Sequence, residues 1–146
     1  MAKNDLKQTV RDLLQRHRYS KLITIGVDGT PRGRIMTHLP PEKDMIIWYA
    51  TGLHTNKIKE IKRNPEVSVF VDHPTDNSGV SIVGKAEILT DERLRKKYWQ
   101  DAWGFFWPDG PSNPDYCLLK ITPMRMEYFN PGPAYHPDLK RTIVKL

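Results

Sequence analysis

At 146 residues, 38% hydrophobic and 27% charged, the chain is the size of one ordinary domain with a buried core. Lys and Arg number 23 against 17 Asp and Glu, and this net charge of +6 permits an anionic ligand or nucleic acid without demanding either. The single cysteine, Cys117, excludes an intrachain disulfide and CxxC-type redox or zinc chemistry; its neighbours Tyr116, Leu118 and Leu119 suggest a buried thiol in a strand.

The N-terminal run MAKNDLKQTVRDLL lacks the apolar stretch of a signal peptide, and no window approaches the ~20 apolar residues of a membrane span. The expectation is a cytoplasmic protein with no membrane partner. Asn4 can cap a first helix in which Leu6, Val10, Leu13 and Leu14 fall at helical spacing, ending near residues 17–20. Lys21 to Val27 alternates as a strand, Asp28-Gly29 supplies a hairpin turn, and Arg32 to Leu39 is the pairing strand. In that second strand Arg32, Arg34, Met36 and His38 share one face, which is unusually basic, and Gly33, Ile35, Thr37 and Leu39 share the other.

Pro40-Pro41 and a turn lead to a nearly continuous apolar strand, Met45 to Ala50, and then to the loop Thr51 to His54. Thr55 caps a short helix whose Ile58 and Ile61 face inward and which Asn64-Pro65 stops. Val67 to Val71 is a strand; Val80 to Leu89 is a long one, with Gly84 marking a bulge or a close backbone approach. Thr90 caps a helix starting at Asp91-Glu92, with Leu94, Tyr98 and Ala102 in line and Trp99 and Trp103 widening its aromatic side. The run Trp107 to Pro114 is an ordered aromatic loop, because its prolines and glycine break every period. Two strands, Tyr116 to Ile121 and Met124 to Phe129, follow around Pro123. Residues 1–129 then form one domain, and 130–146 a proline-rich C-terminal arm. Strands joined by tight turns indicate a mainly β protein of α+β type, an antiparallel sheet or barrel with flanking helices.

Several chemistries are absent. The run Gly79 to Lys85 has the outline of a P-loop, but Ala86 stands where a magnesium-binding hydroxyl is needed and Val80 to Val83 are strand formers. The histidines at 17, 38, 54, 73 and 136 have no metal-ligand spacing and read as surface or turn residues. No GxSxG elbow or GxGxxG turn is present.

What remains is the stretch from Arg32 to Lys57. Arg34 lies near the start of one strand, Thr51 at the end of the next, and Thr55, Asn56 and Lys57 at a helix entrance. Lysine in a first helical turn opposes the dipole unless an anion joins it, so cations, hydroxyls and backbone N–H groups gathered there suit a phosphate. The alternative is that Arg34 is an exposed strand charge and Lys57 part of a solvated helix face.

Taken in order, LITIGVDGTPRGRIMTHL, IIWYATGLHTNKIKEIKRNPEVSVFV, VSIVGKAEILTDERLRKKYW and YCLLKITPMRMEYF resemble the pyridoxamine 5′-phosphate oxidase-like superfamily of FMN-binding split barrels, in its general stress protein branch. The resemblance implies a six-stranded split barrel, a homodimer and FMN in the groove between subunits. It puts Arg34 on the FMN phosphate and Ile35, Met36 and Thr37 along the flavin edge. It makes Ala50, Thr51, Thr55, Asn56 and Lys57 the second phosphate element, and Trp107 a ring contact, for which plain packing is the alternative. Asn56-Lys57 stands where full pyridoxamine phosphate oxidases carry Arg-Lys, Gly79 stands where they carry glutamine, and HPDLKRTIVKL has no counterpart of their arginine-histidine substrate element. FMN binding is therefore the firmer implication and oxidation of a vitamin B6 phosphate the weaker. Catalytic residues and the substrate are not assigned. Two other readings stay open: a non-enzymatic basic nucleic-acid-binding module using Trp99, Trp103 and Trp107 beside Arg93, Arg95, Lys96 and Lys97, and a split barrel that binds haem or a deazaflavin.

Overall fold

The structure, a computed structural model, describes residues 3–75, 77–130 and 141–146. Helix α1, Lys3–Arg16, buries Leu6, Val10, Leu13 and Leu14, the apolar stripe that its sequence spacing predicts. The helix already includes Lys3, so Asn4 sits inside its first turn instead of capping it. Strand β1, Tyr19–Ile25, pairs with β2, Pro31–Thr37, in full antiparallel register from Tyr19 opposite Thr37 to Ile25 opposite Pro31. The turn between them closes as expected: Gly29 has φ +83°, which only glycine adopts freely, and the Asp28 carboxylate accepts from Thr30 N and Oγ1 at 3.1 and 2.7 Å.

The remaining elements are β3, Ile47–Gly52; α2, Asn56–Arg63; β4, Glu66–Asp72; β5, Gly79–Leu89; α3, Glu92–Tyr98; a 3₁₀ turn, Asp101–Phe105; β6, Tyr116–Phe129; and β7, Arg141–Lys145. The sheet runs β2-β1-β4-β5-β6-β3, with β7 paired to β6 off that path, and every pairing is antiparallel. Of the expected C-terminal arm, residues 141–145 add this strand to the sheet, whereas 131–140 lie outside the described residues. The architecture is a mainly β split barrel with flanking helices.

The path ends on β2 and β3, and the chain just beyond β2 brings these two ends together: Leu39 N donates to Trp48 O at 2.9 Å. A buried polar chain spans the same seam. Tyr49 Oη donates to Ser20 Oγ at 2.6 Å, Ser20 donates to His38 Nδ1 at 3.0 Å, and His38 Nε2–H donates to Leu14 O at 2.8 Å. These roles follow because a carbonyl can only accept, which fixes the proton on Nε2. His38 is thus a fully partnered core residue, not the surface histidine that its spacing suggests.

Alternation distributes the core. On β3, Ile47, Tyr49 and Thr51 face the barrel interior with Leu22, Val69, Ile82, Leu119 and Ile121, while Trp48 faces a second cluster with Leu39, Trp107, Tyr116 and Leu118. Strand β3 and the first half of β6 are covered on both faces, which is why Met45 to Ala50 and Tyr116 to Leu119 read as nearly continuous apolar runs.

Three local expectations change. Pro123 does not separate two strands: β6 is continuous over 14 residues, and a register shift opposite Val83/Gly84 makes a bulge that absorbs the proline. Gly84 is also a close approach, since a Cβ there would lie 2.6 Å from Thr122 O. Asp91, not Thr90, caps α3, accepting from Leu94 N at 2.9 Å, and α3 ends at Tyr98, so Ala102 falls in the 3₁₀ turn.

Candidate functional site

The basic face of β2 turns inward, a choice that alternation alone leaves open. Arg34 is 24% exposed; its Nη1 donates to Thr24 Oγ1 at 2.8 Å and Leu22 O at 3.3 Å, and its Nη2 donates to Glu60 Oε1 at 3.1 Å. Met36, on the same face, packs against the barrel core, whereas Ile35, 69% exposed, and Thr37 point outward.

Strand β3 and α2 bring the second half. Thr51 is buried at the end of β3, opposite Cys117 of β6. Lys57, in the first turn of α2, donates from Nζ to Thr51 Oγ1 at 2.9 Å. Among the described residues Lys57 forms no ion pair, and its pKa lies below the ordinary lysine value, first because burial disfavours the ammonium and second because of the nearby Arg34 charge. A half-buried cation bonded to a hydroxyl, beside a second cation whose charge Glu60 offsets in part, is a place where an added anion would be favourable.

The helix entrance fits this polarity. The first turn of α2 holds no acidic residue, and Thr55, although at the N-cap position, makes no capping bond; its hydroxyl donates back to Gly52 O at 2.8 Å. Asn56 is exposed at the first helical position. Ala50 lies on β3 between buried Tyr49 and Thr51, with its side chain against the second cluster. Arg34, Thr51 and Lys57 therefore converge, with Thr55 and Asn56 at the rim.

Trp107 is buried in the second cluster, with its ring 5.0 Å from that of Tyr116, and its Nε1 donates to Asp115 Oδ2 at 3.3 Å. Asp115 in turn ties this aromatic loop to the chain before Lys57. Its carbonyl accepts from Leu53 N at 2.7 Å and its carboxylate from His54 N at 3.1 Å and His54 Nδ1 at 2.8 Å. A Cβ on Gly52 would lie 2.6 Å from Asp115 Oδ2, so glycine there makes room for the clasp. The hydrogen bonds from His54 and Trp107 overcome the effect of burial and hold the Asp115 carboxyl below the usual carboxylate range.

Sequence reasoning missed Glu60, Thr24, Asp115 and His54. Glu60 carried a signal, because it lies between Ile58 and Ile61 on the buried side of α2 and one turn after Lys57. Asp115 carried none, since its partners are distant in sequence. Cys117 is a buried thiol pushed up to about 11, chiefly by burial, and is no nucleophile at neutral pH. Among the described residues no group of His, Cys, Asp or Glu side chains is arranged to hold a metal ion, and no helix is long and apolar enough to cross a membrane.

The family model described as pyridoxamine 5′-phosphate oxidase like matches residues 5–135. The chain belongs to this family. It is 31% identical over 135 residues to general stress protein 26 of Bacillus subtilis (strain 168), covering 90% of this chain and 94% of that protein. The crystal structure of a Clostridium acetobutylicum protein related to general stress protein 26 superposes with a TM-score of 0.85 at 22% identity, covering 99% of this chain and 97% of the other. That of a pyridoxamine 5′-phosphate oxidase-related, FMN binding protein from Nostoc punctiforme superposes with a TM-score of 0.67 at 15% identity over 100% of both chains. Membership places the chain in the general stress protein branch of the pyridoxamine 5′-phosphate oxidase-like fold.

Proposed function

We propose that the protein is an FMN-binding flavoprotein of oxidoreductase type. The observation that carries this reading is the Lys57 ammonium, half-buried, beside Arg34 and, among the described residues, hydrogen-bonded to the Thr51 hydroxyl without an ion pair. A phosphate monoester supplies the missing charge, and a membership shared with an FMN binding protein makes FMN the candidate of choice. Arg34 and Lys57 neutralise the phosphate, the Thr51 hydroxyl orients the lysine, and Thr55 and Asn56 present the uncapped helix start. The backbone of Ile35, Met36 and Thr37 would border the flavin, Ala50 would join the phosphate element, and Trp107 would close the ring side. When bound, FMN supplies hydride or electron transfer. The chain's own contribution is to hold the anion and exclude water.

A homodimer fits the outer face of the sheet. Ile35, Lys21 and Phe70 stand opposite one another across β2, β1 and β4, with Tyr19 beside them, so three large apolar side chains are exposed on one face. A second copy would cover them and the outer side of β2.

The reading is tested by the visible spectrum and mass of the small molecule that copurifies with untagged protein. Flavin bands and the mass of FMN are expected. A haem Soret band, a deazaflavin mass, or colourless protein that refuses added FMN and binds DNA or RNA with steep salt dependence would contradict it.

A further inference from the structure

Glu60 is a carboxylate in the place where an anion-binding site should least tolerate one. Its side chain is 5% exposed, and it accepts from Arg34 Nη2 at 3.1 Å and from the Thr24 hydroxyl at 3.3 Å, with Arg32 Nε at 3.5 Å. It follows Lys57 by one helical turn, and its charge partly offsets the effect of Arg34 on that lysine. Arg34 is therefore already engaged by an internal anion before any ligand arrives. A phosphate entering the site approaches a buried like charge and must share the guanidinium with it.

We propose that Glu60 is a built-in counter-ion that competes with the cofactor phosphate for Arg34, stabilising the ligand-free protein and holding down the affinity of the site for phosphate monoesters. The inference rests on the phosphate reading above. Without Glu60, Arg34 and Lys57 would repel each other in a poorly screened pocket, and the ligand-free fold would carry that repulsion. With Glu60, part of the repulsion is cancelled internally, so less is gained when phosphate binds. The consequence is a cofactor held for exchange. Arg32 shares the Glu60 carboxylate from a half-exposed position and is itself bound to Asp28 at 3.3 Å, so the carboxylate is not drawn away from Arg34.

Glu60→Gln isolates the charge, because glutamine keeps an acceptor oxygen for Arg34 and for Thr24. The experiment titrates flavin-stripped wild type and Glu60→Gln with FMN and with riboflavin, which lacks the phosphate, at low and high salt. Tighter FMN binding by roughly tenfold or more is expected for the variant, with riboflavin binding unchanged and the FMN gain shrinking in salt. FMN affinity equal to or below that of wild type overturns the proposal. Should Glu60→Gln fail to fold, Glu60→Asp, which withdraws the carboxylate from Arg34 by one methylene, is expected to tighten FMN by a smaller factor with riboflavin again unchanged. No gain there overturns the proposal equally. Wild type that prefers neither ligand would sink the phosphate reading itself, an outcome distinct from a wild type that prefers FMN and a variant that gains nothing.

Discussion

Lys57 Nζ donates to Thr51 Oγ1 at 2.9 Å, a contact that fixes a charged side chain without neutralising it. Strand β3 supplies the hydroxyl and α2 the ammonium, so the loop between them sets their spacing. On the proposed reading, the pair is half of a site whose other half is the ligand's phosphate.

Lys57→Met keeps the methylene packing and removes only the charge. Because burial and Arg34 both disfavour that charge, the ligand-free variant is expected to unfold at the same urea concentration as wild type or a higher one. Its FMN affinity is expected to fall by about 10- to 100-fold, the loss of one charge-assisted contact. Equilibrium unfolding and fluorescence titration on the same preparation check both halves.

The seam network makes stability depend on pH in a stated direction. Burial, opposed by the Leu14 carbonyl and aided by Arg18, holds His38 below the ordinary imidazole value of 6.5. The unfolded chain therefore takes up a proton that the folded one refuses. The contribution is complete above 6.5 and is lost as pH falls from there toward the lower folded value. Urea unfolding from about pH 7.5 to about pH 5 is expected to show this loss in wild type and a flatter profile in His38→Gln. Tyr49→Phe, which removes the donor to Ser20, is expected to cost about 1 kcal/mol at neutral pH.

Gly84→Ala is expected to destabilise by about 1–3 kcal/mol, because the new Cβ meets the Thr122 carbonyl, a backbone atom that cannot rotate away. Gly104→Ala, where nothing lies within 4 Å, is the control and should change the melting temperature little. Thermal unfolding of the two variants side by side decides the point.

Asp115→Ala removes the acceptor of His54 N, His54 Nδ1 and Trp107 Nε1 together. The loss is expected at about 1–3 kcal/mol, with faster amide exchange through Leu53 and His54 than through α1. Unchanged exchange in that loop would show that the clasp does not hold it.

Much of this was legible in the chain because periodicity reports burial directly. The stripe Leu6, Val10, Leu13 and Leu14 and the double-sided runs of β3 and the first half of β6 could only be buried. The Arg34, Thr51 and Lys57 grouping was legible through the helix dipole, since a lysine at a helix start asks for an anion. Partnership was not legible. That the charged side of β2 faces inward depends on Glu60 and Thr24 waiting there, and both belong to other elements. Asp91 displaced Thr90 as the cap because two adjacent residues offered the same chemistry and backbone geometry chose between them. Pro123 stayed within β6 because the bulge opposite Gly84 removed the ladder bond that proline would have broken.

The central claim is tested most directly by titrating flavin-stripped wild type and the Arg34→Ala/Lys57→Ala double variant with FMN and with riboflavin. The account predicts that wild type prefers FMN by roughly 100-fold or more, and that the double variant loses the preference while its riboflavin affinity stays within about threefold of wild type. A folded double variant that still prefers FMN to the same degree would contradict it.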